Sequence, residues 1–253
     1  MADPIQKGFL RLSKGSLGDT TFFKTKSGYK AREKKVTPTD QFYNEPGMAR
    51  TRENAATFGH ASTAASLIRS PLRHFKRPKD GKLFLNLRSL MNKVMQLDYQ
   101  SRRGEQKVLN NNLDILIGFE VNSTVSFKSV FNTRFSTNAH RETGQVLINI
   151  PAFIPSKSIK APKGTTHFTI NAIASVIDFG ERGKDITDTF ASADLPLNDI
   201  ATNDWRIELN VPPASSFPIF IFLGIKFTED LMGIFSPVLQ YKKDAMCIVN
   251  AIG

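Results

Sequence analysis

Basic and aromatic side chains alternate in the stretch "GSLGDTTFFKTKSGYKAREKKVTP" (residues 15–38), which holds six Lys/Arg against two acids. Ammonium and guanidinium groups neutralise phosphates and aromatic rings stack on bases, so this pattern is typical of a nucleic-acid-binding arm. The same groups would also hold an extended arm on an acidic protein surface. A second basic cluster, at residues 69–82, contains His74 and Phe75.

Two sets of residues are predicted to make these contacts. The predicted anchors on a neighbouring subunit are Phe22, Phe23, Tyr29, Gly15, Gly18 and Gly28. The predicted basic contacts, to an acidic surface or to nucleic acid, are Lys24, Lys26, Arg32, Lys34, Lys35, Arg50, Arg52, Arg73, Lys76 and Arg77.

Catalytic and metal-binding patterns are weak. The segment "SKGSLGD" lacks the Gly-Lys-Ser/Thr of a phosphate loop, and four dispersed histidines with one cysteine make no tetrahedral zinc set. The acids of "DFGERGKDITDTFASAD" are most simply a solvated loop, although a hydrolase using Asp185 or Asp188 is a third interpretation. We therefore predict no catalytic residue, no metal site, no cofactor and no small-molecule substrate.

Three segments must position these residues. Residues 1–46 predict a basic extended arm with a short hairpin, which turns at Ser27-Gly28 and places Phe23, Thr25 and Tyr29 on one side. Two strands alone have little stability, so this hairpin should need a surface.

Residues 47–104 predict a helical hairpin that docks on another part of the structure. Its two apolar stripes have helical spacing. They are Phe58, Ala61, Ala65, Ile68 and Leu72 in the first helix, and Leu83, Leu87, Leu90, Val94 and Leu97 in the second.

Residues 105–253 predict an antiparallel β-sandwich or barrel-like domain, because short apolar runs alternate there with turn clusters. The runs are "LDILIGFEV", "TVSFKSVF", "QVLINIPAF", "THFTINAIASVIDF", "WRIELNVP", "PIFIFLGIKFTE" and "PVLQYKKDAMCIV". The run "PIFIFLGIKF" is apolar on both faces, which indicates a central strand. The predicted fold class is thus α+β and mostly β.

Charge is unevenly distributed along the 253 residues. Residues 1–107 hold 22 Lys/Arg and 9 acids, whereas residues 108–253 hold 12 and 14. A basic arm joined to a near-neutral body usually meets nucleic acid or an acidic protein surface. The single Cys247 fits a reducing compartment, and neither a secretory signal nor a long apolar segment is present in the sequence. We expect a protein of the cytoplasm, or of a virion-like particle assembled there, with no membrane contact.

The segments "GSLGDTTFFKTKSGYKAREKKVTPT" and "ARTRENAATFGHASTAASLIR" resemble the N-terminal signature of poorly characterised proteins of Bacteroidota and of phages. The matching positions are Gly15, Gly18, Phe22, Gly28, Tyr29, Arg32, Lys34, Pro38, Arg50, Arg52 and Phe58. In phages this signature accompanies structural genes, so the resemblance implies an assembly protein, with no catalytic residue carried over.

These observations favour a non-enzymatic structural protein, a subunit of a phage-like particle or filament. Its basic arm would bind neighbouring subunits, either copies of itself or other structural proteins. The alternative is a nucleic-acid-binding protein that uses the arm and helices on phosphates.

Overall fold

The computed structural model describes residues 15–34, 38–75, 80–180, 184–238 and 243–253. The chain divides into two compact units, residues 1–52 and residues 53–253. The expectation of a mostly β protein is confirmed, and the strands pair in antiparallel sheets beside a long helix.

The first unit contains a three-stranded sheet, here called the N-terminal sheet. Its strands are β1 (Gly15–Leu17), β2 (Thr20–Thr25) and β3 (Gly28–Glu33), in the order β1-β2-β3. The sequence predicted two strands, whereas the structure pairs β1 with β2 as a third. Because Thr25 pairs with Gly28, the turn consists of Lys26 and Ser27, one residue earlier than predicted. Helix α1 (Thr39–Asn44) and a 3-10 turn (Pro46–Met48) follow.

Two helices cover one side of the second unit. Helix α2 spans Ala49–Arg69 and continues into a 3-10 helix at Ser70–Phe75, and helix α3 spans Leu83–Gln96. Most of the predicted first stripe is buried, but the Phe58 side chain is 53% exposed. In α3 the buried residues are Leu87, Met91, Val94 and Met95.

Two predicted strands are wrong. The first four residues of the run "LDILIGFEV" belong to a 3-10 helix at Asn110–Leu116. Only its last residues lie along a strand, where the Val121 N–H donates to the Met246 carbonyl (2.8 Å). The run "TVSFKSVF" contains helix α4 (Phe127–Val130). The Glu120 carboxylate accepts the Phe127 N–H at 2.9 Å and so satisfies a donor at the start of that helix.

The remaining strands form two antiparallel sheets. The small sheet has the order β4 (Ser136–His140), β5 (Gln145–Ile150) and β9 (Trp205–Asn210), and the short helix α5 (Pro155–Ser158) follows β5. The large sheet contains β6 (His167–Ile177), β7 (Asp185–Ala191), β8 (Leu195–Pro196), β10 (Ile219–Leu231), β11 (Ile234–Pro237) and β12 (Ala245–Ile252).

The large sheet is buried on both faces. Its inner face packs against the small sheet in a sheet–sheet cluster that includes Val146, Ile148, Ile207, Ile170 and Leu223. Its other face packs against α2 and α3 in a helix–sheet cluster that includes Ala65, Ile68, Leu87, Val94, Phe220, Phe222 and Ile248. The predicted helical hairpin therefore docks on the sheet of its own unit. This packing fixes the backbones of α2 and α3, whose outward faces form a site described below.

Strand β10 is the predicted central strand, and the prediction is confirmed. It pairs with β6 along one side and with β12 and β11 along the other. Its odd-numbered residues from Ile219 to Phe227 lie in the sheet–sheet cluster, whereas Phe220 and Phe222 lie in the helix–sheet cluster. Because successive side chains of a strand point to opposite faces, the continuous apolar run supplies both clusters.

Candidate functional site

The N-terminal sheet holds the residues predicted as anchors. Gly15 begins β1, Gly18 lies in the turn between β1 and β2, and Gly28 begins β3. Gly28 has a φ angle of +114°, which residues with a side chain rarely adopt. The hairpin therefore requires glycine directly after its two-residue turn.

The predicted aromatic anchors lie on opposite faces of this sheet. Lys24 pairs with Tyr29, and its Nζ lies 5.6 Å from the centroid of the Tyr29 ring. On the other face, the Arg32 guanidinium lies 5.6 Å from the centroid of the Phe23 ring. The prediction that Phe23, Thr25 and Tyr29 share one side is thus wrong for Tyr29. Each face of the sheet carries one aromatic–cation pair.

The N-terminal unit lacks a core among its described residues. Across residues 15–34 and 38–52 no described side chain is fully buried. Phe22 and Phe23 are partly buried, and Tyr29 is 42% exposed. The exposed basic side chains of residues 15–34 are Lys24, Lys26, Lys30, Arg32 and Lys34. A small sheet that buries so little has marginal stability in water unless another surface covers it.

Strand β3 is an edge strand of this sheet. The Lys34 N–H donates to the Asp19 carbonyl (2.6 Å), which continues the β2–β3 ladder beyond the strands. Hydrogen-bonded and non-hydrogen-bonded residue pairs alternate along an antiparallel ladder. This hydrogen bond therefore shows which main-chain groups of β3 face β2 and which point outward. The N–H and C=O groups of Tyr29, Ala31 and Glu33 accordingly point away from β2. Within the described part of the chain, this edge has no strand partner.

Arg50 and Arg52 differ in their surroundings. Arg50 is exposed. Arg52 Nη1 donates to the carbonyls of Phe42 (2.8 Å) and Glu45 (3.0 Å), at the C-terminal end of α1. Carbonyls at a helix end lack intrahelical donors, so Arg52 stabilises the fold of its unit.

Arg73 lies on the 3-10 helix that follows α2. Its guanidinium donates to Ser70 Oγ (2.7 Å) and lies 3.7 Å from an oxygen of Asp185. The predicted contacts Lys35, Lys76 and Arg77 lie outside the described residues.

Part of the acidic segment, Asp185–Ala191, forms a strand where the sequence predicted a loop. Asp185 and Asp188 lie on β7, where the Asp185 carboxylate accepts a hydrogen bond from Thr187 Oγ1 (3.0 Å). Asp188 accepts the Asn210 N–H at 2.7 Å. These carboxylates therefore have structural partners within the fold. Over the described parts of the chain, no three His, Cys, Asp or Glu residues come together as a metal site.

Cys247 and Glu120 pair across the outer edge of β12 through an isolated bridge. Burial raises the pKa of the Cys247 thiol to about 12. Burial also raises the pKa of Glu120, although the Phe127 N–H and the Ser126 hydroxyl act in the opposite direction. At neutral pH the thiol is protonated, and a protonated thiol is a poor nucleophile and a poor metal ligand.

A polar cleft lies between α2 and α3, on the side away from the large sheet. Its cavity volume is about 590 Å³. The lining residues are Asn54, Thr57, Phe58, Ala61, Arg88, Ser89, Asn92, Gln96, Arg103 and Gln106. All of them belong to the second unit.

The loop that closes the cleft is fixed by Asp98. The Asp98 carboxylate accepts the main-chain N–H groups of Gln100 (3.2 Å), Ser101 (3.1 Å) and Lys107 (2.9 Å). The hydrogen bond from the Ser101 side chain, followed by that from the Lys107 N–H, lowers the pKa of Asp98 to about 2. Gly104 (φ +88°) lets this loop approach α2, because an added Cβ would lie 3.0 Å from the Glu53 Cα.

Side chains of the loop meet α2 at several points. The Arg103 Nε lies 3.6 Å from a Glu53 carboxylate oxygen, and its Nη2 donates to Asn54 Oδ1 (3.2 Å). The Thr57 hydroxyl lies 3.3 Å from Gln106 Oε1. These contacts place a guanidinium and an amide at one end of the cleft.

Helix α3 supplies the opposite wall. The guanidinium of Arg88 lies 4.3 Å from the centroid of the Phe58 ring, across the gap between the helices. Asn92 and Gln96 follow on the same face, because positions four residues apart on a helix are neighbours. Phe58, which the sequence assigned to the buried stripe, is thus a ring at the mouth of a polar cleft.

This cleft was not predicted from the sequence. The available signal was the polar row Arg88, Asn92 and Gln96, which runs along α3 beside its apolar stripe. Such a row of polar residues usually indicates a helix face exposed to solvent. Only the approach of α2 and of residues 103–106 turns it into a cavity.

Comparison of the sequence with protein-family models and with curated proteins finds no match. The helices that the structure describes are too short or too polar to cross a membrane.

Proposed function

We propose that this protein is a structural subunit and that its N-terminal sheet joins it to a neighbouring subunit. The observation that carries the proposal is strand β3, an exposed edge strand in a sheet without a buried side chain among its described residues. Unpaired strand edges accept further strands, and main-chain hydrogen bonds then provide affinity.

The charge of β3 indicates what it would bind. Lys30 and Arg32 lie on the strand and Lys34 follows it. Like charges oppose the pairing of two β3 strands, and lysine at an edge is a recognised barrier to such pairing. The near-neutral body, in which residues 108–253 hold 14 acids against 12 Lys/Arg, is the better acceptor.

Contact between different surfaces of identical subunits has a geometric consequence. A head-to-tail contact builds a ring if the rotation closes and a filament if it does not. Residues 53–253 would then be the body of each subunit, a β-sandwich covered by helices. This arrangement suits the phage-like particle or filament that the resemblance implies.

The Ala31→Pro variant tests whether the outer edge of β3 binds a neighbouring subunit. The Ala31 N–H points away from β2, so Ala31→Pro removes an outward donor without breaking the β2–β3 ladder, and proline is tolerated at edge strands. Ala31→Thr is the matched control because threonine keeps the donor and favours strands. We expect light scattering to show assembly of the full chain and of Ala31→Thr, and a shift of Ala31→Pro towards monomer.

Two outcomes would contradict the proposal. One is a wild-type chain that stays monomeric at high concentration after removal of nucleic acid. The other is an unchanged mass distribution in Ala31→Pro.

The alternative function, nucleic-acid binding, is favoured by the two aromatic–cation pairs on the faces of the sheet. Stacking and phosphate contacts would then involve Tyr29, Phe23 and the basic residues beside them. It predicts that the purified chain retains nucleic acid, that affinity falls steeply with salt, and that Ala31→Pro has little effect. Titration of labelled single-stranded DNA at two salt concentrations distinguishes the two functions.

A further inference from the structure

We infer that the cleft between α2 and α3 binds a nucleotide, either free or at the end of a single strand. This inference does not depend on the proposed assembly, because every lining residue lies in residues 53–253. The cavity of about 590 Å³ is in the size range of small-molecule sites.

The lining favours an anion rich in hydrogen-bond acceptors. None of the ten lining residues is acidic, and two of them, Arg88 and Arg103, carry guanidinium groups. Arg103 is partly engaged by Glu53, whereas Arg88 has no ion pair within the described residues. Guanidinium groups bind phosphates through two parallel hydrogen bonds, so Arg88 is the principal phosphate contact.

The amide groups leave donors free for the ligand. The oxygen of Asn54 already accepts a hydrogen bond from Arg103, and that of Gln106 accepts the Gly104 N–H (3.4 Å), so their NH₂ groups remain available. Asn92 and Gln96 make no side-chain hydrogen bond to the described residues. Side-chain amides both donate and accept, and they match the edges of nucleobases.

The ring of Phe58 distinguishes a nucleotide from a simple phosphate. Phe58 is 53% exposed and stacks against the Arg88 guanidinium at 4.3 Å. A flat base can extend this stack, and base–aromatic stacking accepts any base. Inorganic phosphate would use the guanidinium and the amide donors but would leave the ring without a role.

Calorimetric titration of the full chain tests the inference. The probes are the four 5′-mononucleotides, inorganic phosphate and a ten-residue single-stranded DNA. We expect at least one mononucleotide, or the DNA, to bind more tightly than phosphate. Binding of the DNA alone would identify the ligand as a strand end only if Arg88→Gln abolishes it, because the N-terminal sheet offers a second surface for DNA. Binding of mononucleotides would identify a free nucleotide.

Two variants with the same change in charge locate the site. Arg88→Gln removes the guanidinium of the cleft, and Lys93→Gln removes an exposed charge from the same helix outside the lining. We expect Arg88→Gln to weaken binding at least tenfold and Lys93→Gln to change it less than twofold. Phe58→Leu, at an exposed position, should weaken nucleotide binding but leave phosphate binding unchanged.

Three results would overturn the inference. The first is that neither the mononucleotides nor the DNA binds. The second is an equal loss of affinity in Arg88→Gln and Lys93→Gln, which would indicate unspecific attraction. The third is phosphate binding as tight as nucleotide binding. The Ala31→Pro variant should bind normally, so failure of the assembly proposal leaves this test intact.

Discussion

Asp98 shows how one carboxylate organises a functional surface at a distance. It is 3% exposed, lies at the end of α3, and holds the start and end of the loop that carries Arg103 and Gln106. It does not line the cleft. Its role is therefore to position two residues that do.

The stability of this loop should depend on pH. The folded-state pKa of Asp98, about 2, lies below the ordinary value of 3.8. Its contribution is therefore complete above the unfolded-state pKa and is lost as the pH falls towards 2. Asp98→Asn should be less stable than wild type at pH 7, and the difference should shrink between pH 5 and pH 2. Urea unfolding across this range measures the effect.

The control for Asp98 is Asp114→Asn, which changes an exposed carboxylate on the 3-10 helix at Asn110–Leu116. It should leave the pH dependence of unfolding close to that of wild type. If Asp98→Asn and wild type lost stability in parallel as the pH fell, another group would be responsible for the acid transition.

At the scale of elements, strand β10 joins the two clusters. Phe222→Ala opens the helix–sheet cluster and should cost about 3–5 kcal/mol, and Leu223→Ala opens the sheet–sheet cluster and should cost about 2–5 kcal/mol. Ile234→Ala, on the adjoining strand β11, changes a side chain that is 69% exposed. It should stay within about 0.5 kcal/mol of wild type. Urea unfolding of the three variants gives these values.

If only one of the two variants Phe222→Ala and Leu223→Ala lost stability, the packing of the large sheet on both of its faces would be contradicted. Such a difference would mean that one face of the large sheet lacks a tightly packed partner. Equal costs for Ile234→Ala and Phe222→Ala would instead place β11 in the core.

Elements with long apolar runs could be predicted from the sequence. Strands β5, β6, β9, β10 and β12 were predicted because their buried side chains are apolar. Strands β4 ("STNAH") and β7 ("DITDTFA") were missed because their side chains are mainly polar and partly exposed, and pairing with neighbours determines their conformation. In "LDILIGFEV", alternation predicted a strand, but the buried residues Leu113 and Leu116 are three apart.

The candidate sites were predictable to different degrees. Clustered charged and aromatic residues identified the N-terminal segment as a candidate site. They did not show that Phe23 and Tyr29 lie on opposite faces of the sheet, because the position of the turn determines which residues share a face. The cleft depends on residues from 54 to 106, brought together by helix packing and by the Asp98 loop. Single-sequence patterns carry no information on such distances.

At the scale of the whole molecule, both hydrophobic clusters lie in residues 53–253. Among the described residues, the first of their members along the chain is Ala61, and none belongs to the first unit. Burial of apolar area is the main favourable contribution to folding. The second unit therefore contains the core on which the stability of the chain depends.

A chain that begins at Glu53 should fold. It keeps every member of both clusters, so its urea midpoint should lie near that of the full chain. If the N-terminal sheet connects the subunits, this shorter chain should no longer assemble.

A chain that begins at residue 105 lacks Ala65, Ile68, Leu87 and Val94, and would expose Phe220 and Phe222 to water. It should be unfolded or aggregated. Circular dichroism and sedimentation of both chains provide the measurement. A cooperative, monomeric fold of residues 105–253 would show that α2 and α3 are dispensable, because the sheet would then be stable with one face bare.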